Sequence, residues 1–494
     1  MKISQIEIKN FRAFKGDSHF TLSLNKGDNL LVYGENGSGK TSLFTALKNF
    51  FECEVKKHDI SKFPFRNIFS QTDNSFVKIT FNDKAATKKK PNQQAKLYEW
   101  SNLQNETNEQ LILEINKTKG FIDYKDLLET YFLQQKKDFV NIFELLIENI
   151  LKFAENDLTR RTFGDEWQEI SDLSEKIQDN RSKRDIQQIN YLIEKFNDGL
   201  RLKLDELKIK AQEILNLFGY ELKLEIFFGG IASDRIEKRK TEKIKNQVIN
   251  LRVQFFQHQR EDQHLFLNEA KLSAIALSIF CAALLLQPAS RLRILALDDV
   301  LIGLDMSNRM PVLDILDKFF KDFQIFLFTF DRSWYEVIKH RIALNKDRLA
   351  GNLWKKVEFY TSSTDESDLP IYAEEKDYIQ KAEEFYKAND YKAAAVYLRT
   401  RFEMILKTFC DDKKLKVKFQ LEARKLSSDD FWQAVKIYAA TNLLILDQQT
   451  ISDVEQYRKI TLNPLNHADF ASIYKIDVKK TIDVIKILEI KLKC

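Results

Sequence analysis

The chain has 494 residues, 44% of them hydrophobic and 31% charged, enough for a sizeable core and roughly two to four domains. A net charge of only +5 excludes any argument for nucleic-acid binding from the global balance, so such a surface has to be local. The cysteines, Cys53, Cys281, Cys410 and Cys494, lack disulfide or metal spacing, and the longest apolar run, residues 274–286, is interrupted by Ser278 and too short to cross a bilayer. A cytoplasmic chain with no membrane partner is expected, and Met1 runs straight into a strand pattern with no secretory signal.

Residues 3–9 alternate apolar and polar, which predicts a half-exposed strand, and a second strand follows over 19–24. Residues 29–33 read as a buried strand, and a helix opens at Ser42. Between them, Gly34-Glu35-Asn36-Gly37-Ser38-Gly39-Lys40-Thr41 fits the phosphate-loop pattern G-x-x-x-x-G-K-[ST]. Glycines let the backbone curl until its N–H groups face an anion, and the positive end of the next helix points at the same anion. Lys40 is expected to neutralise the β- and γ-phosphates of ATP, and the Thr41 hydroxyl to bind Mg²⁺. Asn36, Gly37, Gly39 and Ser42 complete the expected cradle.

Upstream, residues 6–14 read I-x-I-x-N-F-R-x-F. Followed by this loop, they resemble the N-terminal lobe of the RecF/SMC branch of ABC-type ATPases. The resemblance implies that Arg12 reaches the nucleotide phosphates. Residues 84–96 are lysine-rich without apolar periodicity and read as a loop. Residues 111–133 have a mostly helical pattern, and a helix start follows at 141–146. Gln134, between them, stands where such ATPases place a glutamine that senses Mg²⁺ and the γ-phosphate. Residues 166–218 are charged and free of proline, with a turn at 179–182. They predict a helical hairpin arm inserted between two ATPase lobes, spanning roughly 40 Å for helices of about 25 residues. Residues 220–228 and 247–257 then alternate as strands.

Residues 267–273, ahead of an apolar helix, resemble the ABC signature segment, with Asn268 where serine is usual and Lys271 three positions on. In that family the segment binds the γ-phosphate held by the other protomer, which implies a homodimer or higher homo-oligomer. Residues 294–299 form a buried-strand pattern ending in two acids. Asp298 is expected to hold the Mg²⁺ shell, and Asp299 to orient the attacking water in place of the family's usual glutamate. Residues 303–307 resemble the D-loop. The strand over 323–328 ends in Thr329-Phe330-Asp331-Arg332, where the family usually has a histidine. Phe330 cannot hydrogen-bond a phosphate, so slow hydrolysis is expected.

A polar stretch at 362–368, followed by Pro370, reads as a linker, and helical periodicity dominates beyond it. Arg399 and Glu403, four apart, share a helix face, and His467 follows in a proline-bearing segment. A base, an acid and a cation suffice for metal-independent RNA cleavage. The arrangement resembles bacterial anticodon nucleases of the PrrC and RloC type, which join an ABC ATPase to a HEPN-like domain and cut tRNA in antiphage defence. In the alternative, Arg399 and Glu403 are a plain surface ion pair and His467 packs a helix. The chain would then resemble PtuA-type ATPase subunits that control a separate nuclease or toxin effector. The expected fold is α/β: an ATPase N-terminal lobe over 1–160, the arm over 161–219, a C-terminal lobe over 220–361 and an all-α, HEPN-like domain over 370–494.

Overall fold

The computed structural model describes residues 1–15, 20–25, 27–70, 74–82, 95–129, 139–176, 183–236, 241–256, 258–260, 263–345, 348–363, 368–374, 378–417, 427–441, 445–462 and 474–492. The chain divides into two compact units, Met1–Glu374 and Glu375–Cys494.

The first unit is built on a central sheet. Its middle runs in the order Asn352–Ser363, Asn29–Gly34, Phe323–Thr329, Arg293–Asp298 and Gly120–Asp123, all parallel. Asn29–Gly34 and Phe323–Thr329 are buried along their whole length, which explains their continuous apolar sequences: layers cover both faces. Register brings the carboxyl ends of these strands together. Tyr33 pairs with Thr329, and Asp298 pairs with both Phe328 and Asp123. Ligands of parallel sheets bind at that edge. Buried amides lock the register, since Asn29 Oδ1 accepts from the Ile325 amide at 2.8 Å and Gln324 exchanges two hydrogen bonds with Ile3.

A second, antiparallel sheet follows the order Phe20–Ser23, Lys2–Lys9, Phe76–Asn82, Lys96–Ser101. Its apolar face joins helix Lys40–Lys56 in one core containing Ile6, Ile8, Leu43, Leu47 and Phe50. The lysine-rich stretch before Lys96 lies almost wholly outside the described residues.

Two expected helical stretches gain detail. The predicted hairpin is present as helices Phe163–Lys176 and Lys183–Leu215, with the predicted turn outside the described residues. The longer helix has 33 residues, about 50 Å at 1.5 Å per residue, longer than expected, and it packs into the core of this unit. Ile189, Phe196, Leu200, Leu207, Ala211 and Leu215 are buried in one core with helix Glu269–Leu285. Their spacing is the helical apolar stripe that a core-facing helix carries under a charged outer face. The stretch 111–133 is mostly helical over its described residues, with one strand interrupting it. Helix Gln110–Thr118 gives way to strand Gly120–Asp123 and then to helix Tyr124–Glu129. Gly120 leaves room there for Leu284, whose Cδ2 would sit 2.4 Å from an added Cβ and would have to move. Four residues are too few to register as a strand period.

The polar stretch after residue 361 does not end the first unit. Asn352–Ser363 and Asp368–Glu374 pair antiparallel, which keeps the chain on the sheet up to Glu374. The described elements of the second unit are helical, including Tyr378–Lys387, Tyr391–Asp412, Ser428–Thr441 and Lys475–Leu492, around Leu398, Phe402, Trp432, Ile482 and Leu488. Among the described residues, no helix is long and apolar enough to cross a membrane.

Candidate nucleotide and magnesium site

The phosphate loop leaves strand Asn29–Gly34 and enters helix Lys40–Lys56. Gly37 and Gly39 have φ of 87° and 95°, left-handed values that suit glycine. A Cβ on Gly39 would also meet Pro370 Cγ at 2.9 Å. Asn36, Gly37 and Thr41 are exposed, whereas Ser38, Gly39, Lys40 and Ser42 are buried. Lys40 Nζ donates to the carbonyls of Gly34 at 2.6 Å and Glu35 at 3.3 Å, so the loop itself holds the ammonium in the cradle. Burial lowers the Lys40 pKa, while Asp299 and Asp298 oppose the shift. Arg12 is brought to the same helix. Its Nη1 donates to Thr45 Oγ1 at 3.1 Å, and the Ala13 amide donates to Ser42 Oγ at 3.4 Å.

Asp298 and Asp299 close the opposite wall. Asp298 is 4% exposed, and its pKa is pushed up to about 7 by burial and by the charge of Asp299. The Thr41 hydroxyl and Lys40 pull the other way, so both phosphate-loop side chains act directly on this acid. Asp298 Oδ1 is buried without a hydrogen-bond partner, and so is Ser38 Oγ. An orphaned carboxylate oxygen beside a threonine hydroxyl is a hard oxygen donor set, and it fits Mg²⁺. Asp298 and Thr41 would hold the ion, which would neutralise phosphate charge. Asp299 has φ of 52°, and its Oδ1 accepts from the Phe330 amide at 2.9 Å. Burial raises its pKa, against the pull of Lys40.

One acid here escaped sequence reasoning. Asp123 ends the short strand beside Asp298 and adds to the upward pressure on the Asp298 pKa. Its Oδ1 accepts from the amides of Lys125 and Asp126 at 2.8 and 3.0 Å. That capping pattern at the start of helix Tyr124–Glu129 was the available signal.

The remaining expected residues fall in three places. Asn268 caps helix Glu269–Leu285, with Oδ1 accepting from the Lys271 amide at 3.1 Å. Lys271 Nζ lies over the rings of Tyr220 and Phe255 at 5.5 and 5.6 Å. Among the described residues, neither side chain hydrogen-bonds the phosphate loop. Asp305, in the D-loop-like turn, caps helix Met306–Phe319 through the Asn308 amide at 3.0 Å. In the second unit, Arg399 Nε meets Glu403 Oε1 at 3.2 Å, and Lys407 Nζ is 3.9 Å from Glu403 Oε2. Gln134 and His467 lie outside the described residues.

Phe330 stays in the position expected to carry a histidine, directly after strand Phe323–Thr329 and half-exposed. A Phe330→His variant is expected to raise ATP turnover roughly tenfold by adding a polar contact to the reacting phosphate. Steady-state phosphate release measures it, and unchanged turnover would show that this position does not limit hydrolysis.

Residues 2–349 match the model of the RecF/RecN/SMC N terminal domain. The chain belongs to this family. It is therefore an ABC-type, ATP-binding ATPase of the RecF/RecN/SMC kind, a class that uses ATP with Mg²⁺. Among solved structures, it is similar to the Smc head domain of Pyrococcus furiosus, with an extended coiled coil, bound to the C-terminal domain of ScpA. That match has 13% identity, covers 78% of this chain and 99% of the other, and has a TM-score of 0.42. The SMC head domain from Thermotoga maritima matches at 11% identity over 76% of this chain and 99% of the other, with a TM-score of 0.32. No curated protein matches the sequence.

Proposed function

We propose that this RecF/RecN/SMC-type ATPase is an ATP-gated switch of bacterial antiphage defence. Two copies close over ATP and Mg²⁺, and the nucleotide state governs a ribonuclease centre in the C-terminal unit, with tRNA as its substrate. The observation that carries the dimer is the half-built site. Lys40, Thr41, Asp298 and Asp299 converge within one chain, while among the described residues Asn268 and Lys271 make no side-chain hydrogen bond to that loop. In this reading a second copy brings its Asn268 segment to the exposed face of the nucleotide. Ile302, Met306 and Met310, which follow Asp299 in sequence, and Phe330, whose amide donates to Asp299, are all at least partly exposed and supply apolar surface for that closure.

In the C-terminal unit the reading gives Glu403 the role of base toward the ribose 2′-hydroxyl and His467 that of acid toward the leaving oxygen. Arg399 stabilises the charged phosphorane. What supports it is the Arg399–Glu403 pair at 3.2 Å, half-buried on helix Tyr391–Asp412. Full-length protein is expressed with and without Glu403→Gln and His467→Ala, and total tRNA is examined for cleavage. Cleavage by the parent chain that is lost in both variants is the expected result. Cleavage that survives both would remove the assigned centre.

A second reading has its own observation. Glu403 is shared between Arg399 and Lys407, as in an ordinary helix-surface ion-pair ladder. On that reading the C-terminal unit is a scaffold, and the ATPase controls a separate nuclease or toxin. A parent chain that leaves tRNA intact until a partner protein is added supports it.

A further inference from the structure

The helix that starts at Lys40 also forms one wall of a second cavity, of about 370 Å³. That size lies in the range of small-molecule sites. Strand residues Gly120–Ile122, the helical turn Leu145–Ile150 and the end of helix Glu269–Leu285 supply the other walls.

Five lysines line this cavity: Lys48, Lys56, Lys117, Lys119 and Lys152. Three carboxylates oppose them. Glu52 serves two ammoniums at once, Lys56 at 2.5 Å and Lys119 at 3.0 Å, and its pKa is pulled down to about 2. Asp126 faces Lys48 at 3.8 Å, and Glu148 accepts from Trp167 Nε1 at 3.4 Å. Lys117 and Lys152 have no carboxylate within ion-pair distance among the described residues. The cluster is underneutralised: burial lowers the Lys119 pKa, and Lys56 and Lys48 lower it further against Glu52 alone. An anion would relieve that imbalance.

Charge is only part of the lining. Phe121, Phe153 and Phe280 each give a half-buried ring to the walls. Gln287 is 7% exposed and donates through Nε2 to the Ile150 carbonyl at 2.8 Å, while its Oε1 is buried with no donor. A bare phosphate would use the lysines and leave the rings and this acceptor idle.

We propose that this cavity binds a nucleotide of one or two phosphates, at a site separate from the phosphate loop. The lysines take the phosphates, the phenylalanine rings take the base, and Gln287 Oε1 accepts a hydrogen bond from an amino group on the base. The site shares helix Lys40–Lys56 with the phosphate loop but none of the residues assigned to ATP, so it stands whether or not that assignment does.

The test uses full-length Lys40→Ala protein, in which the phosphate loop is silenced, titrated calorimetrically with AMP, ADP and inorganic phosphate. Saturable binding of AMP or ADP at one site per chain is expected, with affinity falling at least tenfold in Lys40→Ala carrying Lys117→Ala and Lys152→Ala. Among the described residues those two lysines hold no ion pair, so an unchanged melting temperature is expected for that variant, and Lys117→Glu alone provides a second variant with the same direction of loss. No saturable heat from either nucleotide, equal affinity in the lysine variants, or inorganic phosphate binding as tightly as AMP would each overturn the proposal.

Discussion

Replacing Lys40 by alanine is expected to abolish measurable ATP binding. The ammonium sits in the cradle on two loop carbonyls, and phosphate oxygens would replace these with charge-assisted contacts. Such bonds contribute about 1.5–3 kcal/mol each, so losing two costs roughly two to four orders of magnitude in Kd. The fold should survive, because the substitution also removes a cation whose burial is unfavourable, as its lowered pKa shows. Titration calorimetry with ATP, alongside thermal melting, separates these effects. Wild-type affinity in a folded variant would remove the loop from the nucleotide site.

Asp298→Asn is expected to cut ATP hydrolysis roughly 10²–10³-fold and, at the same time, to stabilise the nucleotide-free protein at alkaline pH. The two effects share one cause. Burial and Asp299 raise the Asp298 pKa from 3.8 to about 7. Between those values the folded chain holds a proton that the unfolded chain has released. The stability that this acid contributes is therefore greatest below the ordinary carboxylate range and falls as pH rises toward about 7. Asparagine is neutral throughout and removes the fall. Mg²⁺ with ATP needs the ionised acid, so in the wild type their affinity should strengthen as pH rises through the same window. Melting curves from about pH 4.5 to pH 8, with and without Mg²⁺ and ATP, measure both. A variant that hydrolyses ATP at the wild-type rate would take Asp298 out of the site.

The phosphate loop and the paired acids were legible in the sequence because each combines a buried apolar strand with a polar punctuation that sterics or charge demands. Asp123 was not, because its strand is only four residues long and sits between two helices. Helix Lys183–Leu215 was legible as a helix, but the surface it packs against was not. Its charge density masked the stripe from Ile189 to Leu215, and only the partner surface on helix Glu269–Leu285 shows that the stripe is covered. The second cavity left no sequence signal, since its lysines come from segments that look like ordinary solvated faces.

The order of the central sheet has a consequence for how the molecule is made. Both neighbours of strand Asn29–Gly34, Phe323–Thr329 and Asn352–Ser363, come late in the chain, and the Asn29–Ile325 bond spans 296 residues. On the ribosome, that strand waits roughly 15–60 s for its first partner at typical synthesis rates. Both of its backbone edges, paired in the finished molecule, lack their partners throughout that interval. A truncation before Phe323 leaves the strand with no neighbour in the sheet, so the first two thirds of the chain are not expected to complete this fold alone.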